Sequence, residues 1–171
     1  MLDRMSIAHW CLVAALLILN GCASAPAPQP EDPSPRLADT AARPGIDAQA
    51  RDCIALAMYW EARGEGHHGM QAVGSVILNR VNDDRFPDTP CEVVYQGGET
   101  PPCQFSWWCD GKSDRPTNHS EWLLALSAAE TLLVENPPDA TRGALFFHST
   151  SMRSPWQRQK TAHIGNHVFY R

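Results

Sequence analysis

The sequence predicts a mainly helical α+β domain, and three observations support this fold class. Apolar residues recur at helical spacing from residue 48 onward, again from residue 70, and again between residues 120 and 135. Two short runs near the C-terminus, Ala144 to His148 and His167 to Tyr170, have the length and aromatic content of β-strands. Four cysteines between residues 53 and 109 indicate disulfide stabilisation. We therefore expect one α+β domain with a small β element.

The N-terminal 22 residues have the pattern of an export signal. Arg4 precedes the apolar run Ile7 to Leu19, which is too short to span a bilayer comfortably. The run ends in Leu-Asn-Gly-Cys, which resembles the lipobox of bacterial lipoproteins and makes Cys22 the expected lipidation site. An uncleaved anchor and an ordinary secretory signal are the alternatives, and each places the domain outside the cytoplasm. In a Gram-negative cell, Ala23 after the cysteine resembles lipoproteins sorted to the outer membrane, so there we expect a protein anchored in that membrane and facing the periplasm.

Residues 23–46 differ in composition from the C-terminal part of the chain. They are dominated by Pro, Ala, Ser and Asp, and they hold almost no large apolar side chain. Such a segment cannot bury enough surface to fold, so we expect a disordered tether and place the catalytic domain at residues 47–171. The formal net charge is −5 and the Lys and Arg residues are scattered. This pattern argues against nucleic acid as a partner.

The domain cysteines favour disulfides over a metal site. Four cysteines in an exported domain indicate two disulfides, and the sequence leaves all three pairings open. None of the spacings matches the short Cys-x2-4-Cys knuckle of zinc sites, and no His-Glu-x-x-His motif accompanies the histidines, so no metal or cofactor is expected. The residues concerned are Cys53, Cys91, Cys103 and Cys109.

The first predicted helix, Ala48 to Arg63, carries a carboxyl group on its apolar face. Glu61 continues the stripe formed by Ile54, Ala57 and Met58 at positions i, i+3, i+4 and i+7. Burial disfavours the charged carboxylate, which raises its pKa towards the range of a general acid. A glutamate near a helix end is more often exposed or paired with a neighbouring arginine, so the position alone does not decide its role.

The remaining elements are predicted from breakers and caps. Gly64 ends the first helix, and a loop is expected from Glu65 to Gly69. The second helix then places the small Gly74 where a neighbouring element can approach closely. Thr89, Pro90 and Glu92 predict the start of a short helix, and Ser120 to Glu135 form a core helix that ends before two prolines.

A long segment from Gly97 to Thr117, rich in Gly, Pro and Asp, contains Trp107 and Trp108 side by side. Irregular segments of this length in compact domains are usually functional.

Eight motifs occur in order along residues 50–171: Tyr59 to Glu65, Gly69 to Gly74, Val76 to Val81, Phe86 to Thr89, Val94 to Gln96, Gln104 to Ser106, Asp110 to Gly111, and Ile164 to Phe169. Together they resemble the SleB/CwlJ family of cell wall hydrolases, the spore cortex-lytic type. The cysteines resemble Gram-negative members of that family more than spore enzymes, which places a cortex substrate in doubt.

The resemblance implies a lysozyme-like fold and cleavage of peptidoglycan glycan strands between N-acetylmuramic acid and N-acetylglucosamine. The family's catalytic glutamate falls on Glu61, and the usual activity is that of a lytic transglycosylase, which needs a single acid. A hydrolytic muramidase needs a second carboxylate, for which Glu65 and Asp110 are the candidates. The rival interpretations are a non-catalytic peptidoglycan-binding lipoprotein and a zinc amidase or peptidase.

The expected substrate-binding residues combine aromatic faces for sugar rings with polar groups for hydroxyls. Several have a structural alternative: Trp107 as core, Asp110 as part of a turn, and His167 as a structural histidine. Glu65 has one too, as a loop residue that pairs with Arg63 or Arg80. The expected set is Gln104, Phe105, Ser106, Trp107, Asp110 and His167.

Overall fold

The computed structural model describes residues 41–101, 103–153 and 156–171. The export signal, the expected lipidation site Cys22 and most of the predicted tether lie outside the described residues. Among the described residues, no helix is long and apolar enough to cross a membrane. The elements in this part are helices α1 (Ala48–Ala62), α2 (Gly66–Val81), α3 (Pro90–Val94) and α4 (His119–Glu135), a 3-10 helix (Ser106–Cys109), and strands β1 (Phe146–Ser149), β2 (Lys160–Ile164) and β3 (His167–Tyr170).

Helix α1 agrees closely with its predicted bounds. Asp47 caps its N-terminus, since its side chain accepts hydrogen bonds from the backbone N–H groups of Gln49 (2.9 Å) and Ala50 (3.2 Å). The helix ends at Ala62, and Gly64 comes next but one with φ of 85°, a left-handed conformation that costs glycine little. Glu61 therefore lies in the last turn of the helix.

The predicted loop from Glu65 to Gly69 is wrong, because α2 begins at Gly66. The chain reverses within Gly64 and Gly66, which both have positive φ, so the residues after Gly66 are already helical. Gly69 belongs to the first turn of α2 and leaves space for the Glu65 side chain. A Cβ at Gly69 would lie 2.5 Å from the Cβ of Glu65. The glycines here permit close packing and do not extend the loop.

The core is formed by α1, α2 and α4, which pack against one another. Trp122 of α4 and Tyr59 of α1 are fully buried and in edge contact, with ring centroids 6.4 Å apart. Gly74 of α2 lies at the meeting point, where an added Cβ would overlap Met58 of α1 and lie 2.6 Å from Leu132 Cδ1 of α4. This confirms the prediction that Gly74 permits close approach of a neighbouring element.

Two further predicted helices are confirmed with their caps. The Thr89 hydroxyl accepts a hydrogen bond from the Glu92 backbone N–H, and Pro90 occupies the first helical position of α3. Helix α4 begins one residue earlier than predicted, at His119, because the Asn118 side chain caps it by accepting from the Glu121 backbone N–H at 3.1 Å.

The C-terminal part forms an antiparallel sheet with strand order β1-β3-β2. The sequence predicts two of these strands, and the third, β2, lies in a stretch that reads as a polar connection. Its side chains are exposed or only partly buried, and β2 is an edge strand, so the sequence carries no apolar alternation to indicate it. Phe169 of β3 packs on Ala72 and Val76 of α2, which attaches the sheet to the helices.

The four cysteines form two disulfides, as expected, and the structure selects one of the three pairings. Cys53–Cys91 joins α1 to α3, and Cys103–Cys109 closes the loop that contains the 3-10 helix.

Candidate active site

A cleft of about 510 Å³ lies where the last turn of α1, the disulfide-closed loop and the sheet meet. Its walls differ in character. One wall comes from the loop, and the other comes from β1 and the residues C-terminal to it, with Glu61 on the lining. The described residues that line it are Glu61, Arg80, Cys103, Gln104, Phe105, Ser106, Phe146, Phe147, His148, Ser149, Met152, Arg153, Trp156, Arg158 and His167.

Glu61 has the electrostatic character of a general acid. Burial raises the pKa of its carboxyl group from 4.5 to about 7, and an interaction with the Trp107 side chain lowers it only in part. Near neutral pH the group is therefore present in both protonation states. A carboxyl group with this property can donate a proton in one step and accept one in the next.

The loop wall brings together three of the predicted binding residues. Gln104, Phe105 and Ser106 line the cleft with Glu61, and the side chain of Phe105 is buried against Phe147 and Trp107 at ring-centroid distances of 6.4 and 6.1 Å. Trp107 is itself only 8% exposed and does not line the cleft, and its side chain lies beside Glu61. It is a core residue beside the acid, which is the structural alternative for this tryptophan.

His167 and Glu65 form a second polar pair at the cleft. His167 lines the cleft, and its Nδ1 atom lies 3.1 Å from Glu65 Oε1. The other carboxylate oxygen of Glu65 accepts a hydrogen bond from the backbone N–H of Asn166 at 3.1 Å. Glu65 is not among the residues that line the cleft, and its contacts are not the predicted ones with Arg63 or Arg80. Glu65 therefore lies against the histidine and is hydrogen-bonded to the turn between β2 and β3.

Two glycines make room for the contact between the first motif, which ends at Glu65, and the last motif, which contains Gly165. Gly165 has φ of 55°, and a Cβ at this position would overlap the carboxylate of Glu65. Gly69 admits the same side chain from the α2 side. The Glu65 carboxylate thus occupies a space that both glycines leave open, and the two distant motifs form one structure.

Asp110 is not brought to the cleft. Its side chain is exposed, pairs with Lys112 at 3.0 Å and accepts a hydrogen bond from the Lys112 backbone N–H. With Gly111 at φ of 73°, this is a turn, which is the structural alternative for Asp110. Asp110 lies instead at a neighbouring hollow of about 130 Å³, lined also by Trp60 and Trp107.

The second wall is not predicted from the sequence. It consists largely of aromatic and cationic side chains from β1 and from residues 152, 153, 156 and 158. Arg80 reaches the cleft from the end of α2, and its Nε donates a hydrogen bond to the Leu145 carbonyl oxygen at 2.8 Å. Its neighbour Asn79 donates to the Ala144 carbonyl oxygen at 3.0 Å. The Asn79-Arg80 pair in the motif could have indicated this connection, whereas the aromatic residues of the sheet resemble ordinary core.

The zinc interpretation finds no support in the part of the chain that the structure describes. There, no three His, Cys, Asp or Glu side chains are grouped so as to hold a metal ion.

A helical domain with a small antiparallel sheet and a partly buried carboxyl group at the cleft between them has the lysozyme-like architecture. Residues 64–170 match the cell wall hydrolase family, and the chain belongs to that family. Glu61 precedes the first matched residue, so its role depends on the motif and on the geometry of the cleft. The resemblance identified from the motifs is confirmed at the level of the family.

Curated relatives and solved structures agree with this assignment. The spore cortex-lytic enzymes of Bacillus subtilis and Oceanobacillus iheyensis are 33% and 32% identical to the chain over 119 and 121 residues, 68% of the chain in each case. These stretches span only 35% and 39% of the two relatives. The catalytic domain of the Bacillus cereus SleB protein matches with 30% identity and a TM-score of 0.57, over 75% of this chain and 94% of that domain. The catalytic domain of the germination-specific lytic transglycosylase SleB from Bacillus anthracis matches with 30% identity and a TM-score of 0.58, over 76% of this chain and all of that domain.

Proposed function

We propose that this protein is a lytic transglycosylase that cleaves peptidoglycan glycan strands between N-acetylmuramic acid and N-acetylglucosamine, with Glu61 as the general acid and base. The observation that carries the proposal is a partly buried carboxyl group, with a pKa raised by desolvation to about 7, on the lining of a cleft of about 510 Å³. The Bacillus anthracis structure is that of a lytic transglycosylase, which supports the same activity here.

The proposed mechanism uses one carboxyl group twice. Protonated Glu61 donates its proton to the glycosidic oxygen, and the bond from that oxygen to C1 of the muramic acid breaks as the ring gains oxocarbenium character. The glucosamine end leaves with the proton on its O4. Glu61, now a carboxylate, accepts the proton of the C6 hydroxyl while O6 bonds to C1. The product carries a 1,6-anhydro ring, and no water is consumed.

The surroundings of Glu61 favour this route over hydrolysis. A hydrolytic muramidase needs a second carboxylate near the reacting carbon, either as nucleophile or as base for a water molecule. Of the described residues that line the cleft, Glu61 is the only one with a carboxyl group. Glu65 is engaged by His167 and Asn166, and Asp110 by Lys112. These contacts support a mechanism in which Glu61 acts without a second carboxylate.

Digestion of purified peptidoglycan sacculi tests the proposal. The chain from Ala23 onward, which keeps every described residue, is compared with its Glu61→Gln variant, and the released muropeptides are identified by mass spectrometry. We expect anhydro-muropeptides from the unaltered chain alone. Equal release by both chains would show that the acid is misassigned. Binding to sacculi without release by either chain would favour the non-catalytic lipoprotein.

We also propose that the protein acts in the cell envelope, anchored through lipid on Cys22. Peptidoglycan lies outside the cytoplasm, and the Leu-Asn-Gly-Cys sequence supports export with lipidation. Metabolic labelling with a radioactive fatty acid tests the anchor, with Cys22→Ser as the variant that should lose the label. Fractionation of the labelled cells then shows whether the protein resides in the outer membrane, as Ala23 suggests.

A further inference from the structure

The charge of the cleft is opposite to that of the chain. The chain has a formal net charge of −5, yet three arginines, Arg80, Arg153 and Arg158, line the cleft against the single carboxyl group of Glu61. With Glu61 half protonated near neutral pH, the cleft carries a net positive charge. Neutral N-acetylglucosamine has no need of such a lining.

Arg158 is held in place by aromatic rings and not by a carboxylate. Its guanidinium carbon lies 3.6 Å from the centroid of the Phe146 ring and 5.9 Å from that of Trp156. Stacking of this kind orients the guanidinium plane and leaves its N–H groups available for a ligand. Within the described ranges, neither Arg158 nor Arg153 has an Asp or Glu oxygen within 4.0 Å of its guanidinium nitrogens.

Arg80 is the buried member of the group. It is 1% exposed, its Nε is bonded to the Leu145 carbonyl oxygen, and its Nη1 has no hydrogen-bond partner among the described residues. The ring of Phe146 contacts both Arg158 and Arg80, and its centroid lies 5.6 Å from the Arg80 guanidinium carbon. Burial lowers the pKa of Arg80 only to about 10, so it remains charged at neutral pH. A buried cation whose hydrogen-bond acceptor is a neutral carbonyl raises the positive potential of the wall.

The other titratable group of this wall is already satisfied. His148 has Nδ1 at 2.8 Å from the Ser149 carbonyl oxygen and Nε2 at 2.9 Å from the Tyr170 hydroxyl. Since a carbonyl oxygen only accepts, Nδ1 carries the hydrogen in this contact, and the tyrosine hydroxyl occupies the other ring nitrogen. Trp156 completes an aromatic surface with Phe146, His148 and Tyr170, at centroid distances of 5.7–6.1 Å.

We propose that Arg80, Arg153 and Arg158 form an arginine wall that binds a carboxylate on the lactyl side of muramic acid, with Arg158 as its principal contact. The inference rests on the proposed function and names the substrate chemistry of the same cleft. In a glycan strand of alternating N-acetylglucosamine and N-acetylmuramic acid, the negatively charged groups are attached through the lactyl ether of the muramic acid. That charge is either the free lactyl carboxylate of a peptide-free strand or a carboxylate of the attached stem peptide. Both sources present the same group to an arginine, which pairs with it through two parallel hydrogen bonds.

Three forms of one peptidoglycan preparation separate these possibilities. The first keeps its peptides, the second has its peptides removed by an amidase, and the third has its carboxylates converted to amides with a carbodiimide and ammonia. For the unaltered chain we expect kcat/KM on the amidated form to fall about tenfold, the loss of one charged contact of ~1.4 kcal/mol. If the peptide-free form is still cleaved with a higher kcat/KM than the amidated form, the contact is with the lactyl carboxylate. A preference restricted to the peptide-bearing form assigns it to the stem peptide.

Arg158→Gln should remove the discrimination between charged and amidated forms, mainly through KM. Arg158→Lys should keep part of it, because the charge remains while the planar stacking group is lost. Lys160→Gln, the same change of charge on β2 outside the cleft lining, is the matched control and should discriminate as the unaltered chain does. Thermal unfolding of each variant confirms that it is folded.

A binding experiment keeps this inference separate from the proposed activity. Glu61→Gln is sedimented with the charged and with the amidated polymer, and we expect weaker binding to the amidated one. Equal cleavage and equal binding of all three forms would overturn the arginine wall and leave the proposed function intact. Cleavage of none of the forms, together with preferential binding to the charged ones, would reject the transglycosylase and retain the wall.

Discussion

The pKa of Glu61 makes a prediction for stability as well as for activity. Its carboxyl group has a pKa of about 7 in the folded chain against an ordinary value of 4.5. Below pH 4.5 the carboxyl group is protonated in both the folded and the unfolded chain, so its burial as a charged group does not lower the free energy of unfolding. As pH rises towards 7 the unfolded chain loses the proton more readily, so folding stability falls, and above pH 7 the full cost remains.

Glu61→Gln should therefore stabilise the protein at pH 8 by about 1–3 kcal/mol relative to its effect at pH 4. Urea unfolding of both chains at the two pH values measures this difference. The activity of the unaltered chain should fall on the alkaline side of about pH 7, since the acid then lacks its proton. An effect of the substitution that does not change with pH would mean that Glu61 is solvated in the folded protein.

Glu65 makes a separate prediction at the same scale, as a positioning residue for His167. Glu65 Oε1 lies 3.1 Å from His167 Nδ1, so we expect the carboxylate to favour the ring form with hydrogen on Nδ1. Glu65→Gln should lower kcat/KM about tenfold, or ~1.4 kcal/mol. In nuclear magnetic resonance spectra, the ring nitrogens of His167 should no longer report one fixed tautomer. Reduced activity with an unchanged tautomer would assign Glu65 a purely structural role.

At the scale of elements, Gly74 sets the separation of three helices. Gly74→Ala places a methyl group against Met58 and Leu132, so we expect a loss of about 1–3 kcal/mol in the free energy of unfolding. Ser127→Ala, on the exposed face of α4, is the control and should change stability by less than about 0.5 kcal/mol. If Gly74→Ala proved neutral or stabilising, the helices would not be in close contact at this position.

The two disulfides should differ in what their loss affects. Cys53–Cys91 joins residues 38 positions apart and Cys103–Cys109 residues only 6 positions apart, so replacing each pair by serine should cost about 4 and about 2 kcal/mol respectively. The smaller loop carries Gln104, Phe105 and Ser106 into the cleft. Its opening should therefore lower activity at temperatures where the domain is still folded. Comparable specific activity in both double variants would show that the loop does not need its closure.

The elements also show where sequence reasoning succeeds and where it stops. Helices α1, α3 and α4 can be predicted because apolar spacing and side-chain caps are local properties of the sequence. Strand β2 cannot, because an exposed edge strand depends on its pairing with β3. The predicted start of α2 is too late because Gly66 and Gly69 resemble breakers, whereas they make room for the turn and for Glu65.

At the scale of the whole molecule, the site joins segments that are far apart in the sequence. Glu61 and the loop residues Gln104 to Ser106 can be predicted, since their motifs are compact. The arginine wall cannot, because the stacking of Arg158 on Phe146 and the approach of Arg80 arise only when the sheet packs beside α2. The formal net charge of −5 gives no indication of a cationic cleft.

The most direct test of the proposed transglycosylase activity is to digest sacculi with the chain from Ala23 onward in water enriched in oxygen-18. The masses of the products are then measured by mass spectrometry. A transglycosylase closes the ring with the sugar's own O6, so the new ends should be anhydro ends, without label and lighter by one water molecule than hydrolysis products. Reducing ends that carry one oxygen-18 atom would contradict the account and establish a hydrolase.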